Sequence, residues 1–261
     1  MASRKSPVQK RDEVISMDEY TNRHQTSSTN ALKLKLDHLK TFEPLTENQR
    51  SFFDAYKRGD YFIALHGVAG TGKTFSALYK AIEEVLDKSN TFERIIVVRS
   101  AVQSREIGHL PGSVDEKMEI YQQPYRQICE TLFGRKDAWD RLEEQHHIEF
   151  ISTSFIRGMS FDDAIIIVDE MQNMTFEEID TVMTRVGYRS KIIWCGDYRQ
   201  TDLNKKRNDM SGILKFFDIA DEMKAFTRIE FTANDIVRSS LVKDYILAKM
   251  KYEDSVQRLC N

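Results

Sequence analysis

Six short apolar runs, separated by helical patterns, constrain the fold more than any other feature of this sequence. They are YFIALH (61–66), RIIVVR (94–99), IEFIS (148–152), AIIIVD (164–169), KIIWCGD (191–197) and RIEFT (228–232). Several are apolar throughout, which is typical of strands in a sheet that helices cover on both faces. This alternation predicts a three-layer α/β fold with a mainly parallel sheet and right-handed crossovers. In such sheets, ligands bind at the carboxyl ends of the strands.

A glycine-rich segment, GVAGTGKT, directly follows the first run. It matches G-x-x-x-x-G-K-[ST] at every fixed position, between a predicted strand and a predicted helix. Its backbone N–H groups would surround phosphate oxygens, with the charge of Lys73 on the β- and γ-phosphates and the Thr74 hydroxyl on Mg²⁺. The alternative is a chance glycine-rich turn, which the flanking elements argue against. The predicted nucleotide-binding residues are Gly67, Val68, Ala69, Gly70, Thr71, Gly72, Lys73 and Thr74.

Two adjacent carboxylates end the fourth run, in the segment IIIVDEMQN. A charge at the end of a buried strand is costly unless a cation or ligand meets it. Asp169 is therefore predicted to hold Mg²⁺, directly or through a water molecule. Glu170 is predicted to orient and deprotonate the water that attacks the γ-phosphate. A solvated acid pair in a loop is the alternative, and the preceding apolar run argues against it.

Two glutamines complete the predicted site. Gln200, in CGDYRQ after the fifth run, is a candidate to hydrogen-bond the γ-phosphate or the attacking water. Taken alone, that pattern also fits a surface glutamine after a turn. Gln49, in LTENQ, is a candidate adenine reader because an amide both donates to and accepts from an adenine edge. The guanine-specifying pattern N-K-x-D does not occur, which favours ATP over GTP.

Composition indicates the environment of the chain rather than its activity. The net charge of -3 and the pI of about 6.1 argue against binding to nucleic acid by bulk charge alone. The sequence contains no run of about 18 apolar residues, so we expect no transmembrane helix. Its basic first residues lack the apolar stretch of a secretory signal. Three widely spaced cysteines fit reduced thiols. We therefore expect a cytoplasmic protein with no membrane partner.

The pattern of apolar residues changes near residue 45. Residues 1–44 offer few bulky apolar positions and are predicted to be an N-terminal extension, partly disordered or helical. Residues 45–261 carry the strand–helix alternation and are predicted to form one ATPase domain.

These motifs together resemble the PhoH-like ATPases of bacteria and their phages. The resemblance covers about Leu45 to Met250 and rests on GVAGTGKT, RSAVQSREIGHLPGSVDEKM, IIIVDEMQNMT, MTRVGYRSKIIWCGDYRQTDL and NDIVRSSLV. It implies a RecA-like P-loop NTPase core, related to superfamily-one helicases, that hydrolyses ATP with Mg²⁺. It also implies that Gln200 senses hydrolysis and that Arg238 and Arg185 stabilise phosphate charge as arginine fingers.

The sequence departs from the family pattern in one loop. Ser100 stands where proline is usual, Arg105 where glycine is usual and Ser113 where aspartate is usual. These changes leave the predicted ATP site intact and concern only the loop after the second run. Arg99, which ends a buried run, is the better candidate for a phosphate or nucleic-acid contact, whereas Arg105 fits a solvated charge equally well.

Three functions fit these observations. The first is an ATPase coupled to RNA or single-stranded DNA, acting as a helicase or translocase in a ring-like homo-oligomer such as a hexamer. The second is an ATP-dependent switch or assembly factor that acts on a protein partner without motor activity. The third, a small-molecule kinase, explains the glycine-rich loop but not Glu170, Gln200 and Arg238 together. We rank them in that order.

Overall fold

A computed structural model of the chain describes residues 33–100, 114–197 and 211–260. The compact unit that carries the elements is Lys35–Asn261. Its strands are β1 (Phe62–Gly67), β2 (Arg94–Arg99), β3 (Ile148–Ser152), β4 (Ala164–Asp169), β5 (Lys191–Gly196) and β6 (Phe226–Phe231). Its helices are α1 (Glu47–Arg58), α2 (Lys73–Leu86), α3 (Val114–Phe133), α4 (Ala138–Glu144), α5 (Phe176–Met183), α6 (Ser211–Asp221) and α7 (Ser240–Cys260).

The six strands form one sheet in the order β3-β2-β4-β5-β1-β6, and every pairing is parallel. The predicted α/β class with a parallel sheet is therefore confirmed. One strand, β5, separates β1 from β4. The glycine-rich segment at the end of β1 and the acidic pair at the end of β4 consequently lie at the same edge of the sheet.

Both faces of the sheet are covered. On β1 and β5 the residues Phe62, Ala64, Ile192 and Trp194 belong to one apolar cluster, which also includes residues of α5 and α6. Their intervening neighbours point to the other face because side chains alternate along a strand. The Trp194 and Phe216 rings lie 4.7 Å apart within that cluster. Helix α2, whose core residues fall outside the cluster, contacts β2, β4 and β5. The chain therefore has three layers.

Residues just before α1 already contact the core. The Phe42 ring meets the rings of Phe75 and Tyr79 edge-on at 5.1 and 5.7 Å, and the Phe42 N–H donates to Tyr79 Oη over 3.3 Å. The division into residues 1–44 and 45–261 remains a prediction, and residues 1–32 lie outside the described part. Across the described ranges, no helix is long and apolar enough to cross a membrane.

Candidate nucleotide site

The loop between β1 and α2 follows a path that glycines permit. Gly67, Gly70 and Gly72 have φ angles of 115°, 75° and 82°, in the region that favours glycine. At Gly67 the loop also approaches β6 closely, because the Val68 N–H donates to the Phe231 carbonyl over 2.9 Å. Helix α2 begins directly after Gly72, so its first N–H groups point into the loop.

Gly67→Ala is expected to destabilise the fold by at least about 3 kcal/mol, through backbone strain and steric overlap together. A Cβ at Gly67 would lie 2.1 Å from the Phe231 carbonyl oxygen, which is backbone and cannot move aside cheaply. Gly59→Ala is the matched control, since Gly59 also has a positive φ but no atom within 4 Å of a new Cβ. It should cost only about 1–2 kcal/mol. Urea unfolding measures both, and equal costs would contradict the prediction.

Lys73, the first residue of α2, lies inside the curve of the loop. Its ammonium donates to the carbonyls of Gly67 and Val68, over 3.1 and 2.7 Å. Burial lowers the pKa of Lys73, whereas the nearby charges, Asp197 first, favour the protonated form. The ammonium is therefore held where the loop N–H groups also converge.

The hydroxyl that ends the loop meets the first carboxylate of the acidic pair. Thr74 Oγ1 donates to Asp169 Oδ1 over 2.8 Å, across the strand that separates β1 from β4. The second oxygen, Oδ2, accepts from the hydroxyl of Tyr125 over 2.9 Å. A hydroxyl and a carboxylate at the rim of a phosphate-binding loop are the oxygen ligands that Mg²⁺ takes beside nucleotide phosphates. Thr74 and Asp169 therefore fit the predicted metal role.

Glu170 lies just beyond β4, with a left-handed φ of 54°. That turn directs the chain into the short 3₁₀ helix Met171–Asn173. Gln172, which the sequence did not suggest, links Glu170 to the end of β5. Its amide nitrogen donates to Glu170, and its amide oxygen accepts from the Asp197 N–H over 3.0 Å. Burial and then the charge of Asp169 raise the pKa of Glu170 above its ordinary value, which suits a proton acceptor.

Gln49 is buried against the loop. Its amide nitrogen donates to the Thr71 carbonyl over 2.9 Å, and its amide oxygen accepts from the Leu45 N–H over 2.8 Å. These bonds use one hydrogen and one lone pair of the amide, which carries two of each. The structure thus places Gln49 beside the loop, and its contact with adenine remains a prediction.

The two candidate arginine fingers occupy opposite edges of the sheet. A Cβ added at Gly70 would lie 3.1 Å from Arg238 Cγ, and the neighbouring Val237 N–H donates to the Gly70 carbonyl over 3.1 Å. Arg238 is therefore beside the loop of its own chain. Arg185 follows α5, where its carbonyl accepts from the Phe161 N–H ahead of the amino end of β4. It is not brought to the loop within one chain.

The remaining predicted residues are in part outside the described ranges. Gln200 falls in the gap after residue 197, and Arg105 and Ser113 fall in the gap after residue 100. Arg99 is described: it ends β2 beside Asp169, and its guanidinium lies 5.5 Å from the centre of the Tyr121 ring. Its charge counteracts the rise in the pKa of Glu170. Arg99 therefore belongs to the same edge as the acidic pair.

Helix α7 approaches the loop from the solvent side. A cavity of about 180 Å³ lies between them, bordered by Val68, Ala69 and Asp197. The helix contributes Tyr245, Ile246, Lys249, Met250 and Glu253 to its lining. No pattern in the sequence of α7 predicts this placement.

Ser100, a departure from the family pattern, is bonded at the same edge. Glu178 Oε1 accepts from the hydroxyls of Ser100 and Thr153, over 2.8 and 2.6 Å, and Glu178 Oε2 accepts from the Thr175 N–H over 2.9 Å. One carboxylate thus ties the ends of β2 and β3 to the start of α5. Burial alone would raise the pKa of Glu178, but these hydrogen bonds outweigh it and lower the pKa.

Glu178→Gln is expected to destabilise the fold by about 1–2 kcal/mol at neutral pH, since an amide cannot accept all three bonds. Because the pKa of Glu178 is lowered on folding, the stabilisation is present above about pH 4.3, the ordinary glutamate value. It is lost as pH falls through the lower folded-state pKa. Urea unfolding at several pH values should show the wild-type and variant stabilities converge in acid. An unchanged gap, or an equal loss in the exposed control Glu177→Gln, would contradict the prediction.

A parallel sheet with a glycine-rich phosphate loop after β1 and an acidic pair after β4, one strand away, defines a RecA-like P-loop NTPase fold. Residues 41–250 match the family described as PhoH-like protein. The chain therefore belongs to the PhoH-like protein family.

Several bacterial proteins are similar to this chain in sequence. The chain is 34% identical over 218 residues to a PhoH-like protein of Mycobacterium tuberculosis, covering 82% of this chain and 60% of the relative. It is 35% identical over 210 residues to a PhoH-like protein of Bacillus subtilis, covering 80% and 64%. Protein PhoH of Escherichia coli is 33% identical over 177 residues, covering 67% and 49%. The chain thus matches less than two thirds of the length of these relatives.

The similar solved structures are distant. A large terminase from a thermophilic bacteriophage is 11% identical, with a TM-score of 0.48. The match covers 78% of this chain and 50% of the terminase chain. A Pyrococcus furiosus Hef helicase domain is 12% identical, with a TM-score of 0.42, and covers 72% and 39%. The strand order and the glycine-rich loop define the RecA-like fold.

Proposed function

We propose that this protein hydrolyses ATP with Mg²⁺. The observation that carries the proposal is the hydrogen bond between Thr74 and Asp169, 2.8 Å long, with Glu170 next in the chain. The Thr74 hydroxyl, the Asp169 carboxylate and the proposed base Glu170 thus lie together. They lie at the edge where ligands bind in parallel sheets. A protein that only bound nucleotide would have no need of the second carboxylate.

Each residue has a chemical role in this proposal. The loop N–H groups and Lys73 bind the phosphates. Thr74 and Asp169 hold Mg²⁺, which neutralises charge on the phosphate oxygens when it is bound. Glu170 orients a water molecule in line with the γ-phosphate and accepts its proton, and the raised pKa of Glu170 supports that role.

Three further residues complete the proposed site. Gln49 reads the adenine edge with the hydrogen and lone pair that its backbone contacts leave free. Gln200 senses the γ-phosphate. Arg238 stabilises phosphate charge from the same chain, which its position beside Gly70 supports.

The proposed partner is RNA or single-stranded DNA. Resemblance to superfamily-one helicases supports this, as does the segment after β3, where the exposed Arg157 lies close in sequence to Phe155, whose exposure is 57%. Exposed aromatic and basic side chains stack on bases and bind phosphates. The acidic overall charge requires such a contact to be local.

We further propose that the active form is a ring-like homo-oligomer, with a hexamer as the expected size. A superfamily-one helicase closes two RecA-like cores on one nucleotide, and a neighbouring copy would supply the second core. Arg185 lies at the edge away from its own loop, so in this proposal it meets a phosphate on another copy. Light scattering should therefore detect oligomers in the presence of nucleotide, and a monomer that hydrolyses ATP normally at high concentration would refute the ring.

The decisive experiment is steady-state ATP hydrolysis with and without single-stranded RNA or DNA, beside a Glu170→Gln control. Stimulation by a strand, abolished in the variant, is the expected result. Hydrolysis indifferent to nucleic acid would favour the second candidate, an ATP-dependent switch that acts on a protein. The exposed Leu241, Tyr245 and Tyr252 on α7 would suit such a partner. No Glu170-dependent hydrolysis under either condition would refute the proposed function.

A further inference from the structure

The Asp169 carboxylate is held by donors from two separate helices. Thr74, on α2, donates to Oδ1 over 2.8 Å, and Tyr125, on α3, donates to Oδ2 over 2.9 Å. Thr74 belongs to the sequence motif, whereas Tyr125 lies 44 residues before Asp169 and outside the motifs that carry the resemblance. The Tyr125 contact therefore fixes the carboxylate from a direction that the phosphate loop does not control.

Packing determines where the Tyr125 hydroxyl lies. The side chain is fully buried, and its ring lies 6.2 Å from that of Trp139 on α4 and 5.7 Å from that of Phe150 on β3. A rigid ring held in this way cannot move its hydroxyl without disturbing three elements. A buried hydroxyl is also costly to leave without a partner, so the bond to Asp169 persists.

The Tyr125 hydroxyl is the donor in this contact, and the carboxylate oxygen of Asp169 is the acceptor. A tyrosine hydroxyl thus brings a hydrogen bond to Asp169 without a full positive charge. A neutral donor on one oxygen orients the group without competing for the cation.

We propose that Tyr125 is a positioning residue for the metal–nucleotide site: its hydroxyl holds Asp169 Oδ2 so that Oδ1 stays beside Thr74 Oγ1, where the two oxygens face a metal ion together. The inference rests on the proposed function, since it assigns a task at the same site. A donor of this kind, bonded to a metal-ligating group, typically contributes about 10–100-fold to metal affinity. A purely structural tyrosine would contribute to stability only.

Tyr125→Phe is the test, since it removes the hydroxyl and retains the packed ring. Tyr121→Phe is the matched control, because Tyr121 lies on the same helix and its ring, below Arg99, is also retained. Mn²⁺ binding in the presence of ADP, followed by electron paramagnetic resonance, measures the metal without turnover. We expect Mn²⁺ affinity to fall about 10–100-fold in Tyr125→Phe. ADP affinity in EDTA should be unchanged, and Tyr121→Phe should match the wild type.

Mn²⁺ affinity within twofold of the wild type in Tyr125→Phe would overturn the inference, whatever the change in thermal stability. A second arm uses Asp169→Asn. In that background the loss of the Tyr125 hydroxyl should have no further effect on Mn²⁺ affinity, and a full additional loss would contradict the inference. Wild-type protein that binds Mn²⁺ and ADP but does not hydrolyse ATP would refute the proposed function alone. Absence of nucleotide-dependent Mn²⁺ binding in the wild type would refute both.

Discussion

Glu170→Gln is expected to lower ATP turnover by about 10²–10⁴-fold, while ATP affinity stays within a few fold of the wild type. The amide has the shape of the carboxylate and can still accept from Gln172, so the site should keep its geometry. It cannot accept a proton from water, however. Burial, and then the charge of the adjacent Asp169, raise the pKa of Glu170 and so favour proton uptake at this position. Single-turnover phosphate release and equilibrium binding of a fluorescent ATP analogue measure the two effects separately.

The control for this variant is Glu177→Gln, which makes the same chemical change on the exposed first turn of α5. It should hydrolyse ATP at the wild-type rate. Turnover in Glu170→Gln within tenfold of the wild type would show that another group takes the proton. Loss of both binding and turnover would instead indicate that Glu170 supports the structure of the loop.

The sequence predicts the strands and the edge of the site because local chemistry determines both. Runs such as IIIVD are too apolar for an exposed position and too short for a helix, and Asp169 and Glu170 follow directly. The glycine spacing likewise predicts the phosphate loop before any tertiary contact is known. These features depend on neighbouring residues only.

The local pattern of residues does not determine the order of the strands across the sheet or the contacts between residues that are distant in sequence. Nothing in the spacing places β5 between β1 and β4, an arrangement that depends on contacts such as Trp194 with Phe216. The sequence suggests both Arg238 and Arg185 as arginine fingers, and only the tertiary structure brings Arg238 beside Gly70. Tyr125 carries no signal at all, because its partner Asp169 is distant in sequence.

Lys73→Met is expected to weaken ATP binding by about 100-fold or more, since each charge-assisted hydrogen bond to phosphate contributes about 1.5–3 kcal/mol. Methionine retains most of the apolar length of the side chain and removes its charge and hydrogen-bond donors. The free energy of unfolding should change much less. The carbonyls of Gly67 and Val68 lose a donor, but burial, which lowers the pKa of Lys73, already opposes the charge. Loss of an unfavourable buried charge therefore offsets part of the lost hydrogen bonding.

Affinity and stability together distinguish a phosphate ligand from a structural lysine. A structural lysine would give a large drop in unfolding free energy and an affinity that recovers whenever the protein is folded. A phosphate ligand gives a folded protein that does not retain ATP. Calorimetric titration with ATP, beside urea unfolding, separates these cases, and the exposed Lys88→Met just beyond α2 is the control that should change neither. ATP affinity within threefold of the wild type in Lys73→Met would show that the ammonium serves the carbonyls of the loop and not the nucleotide.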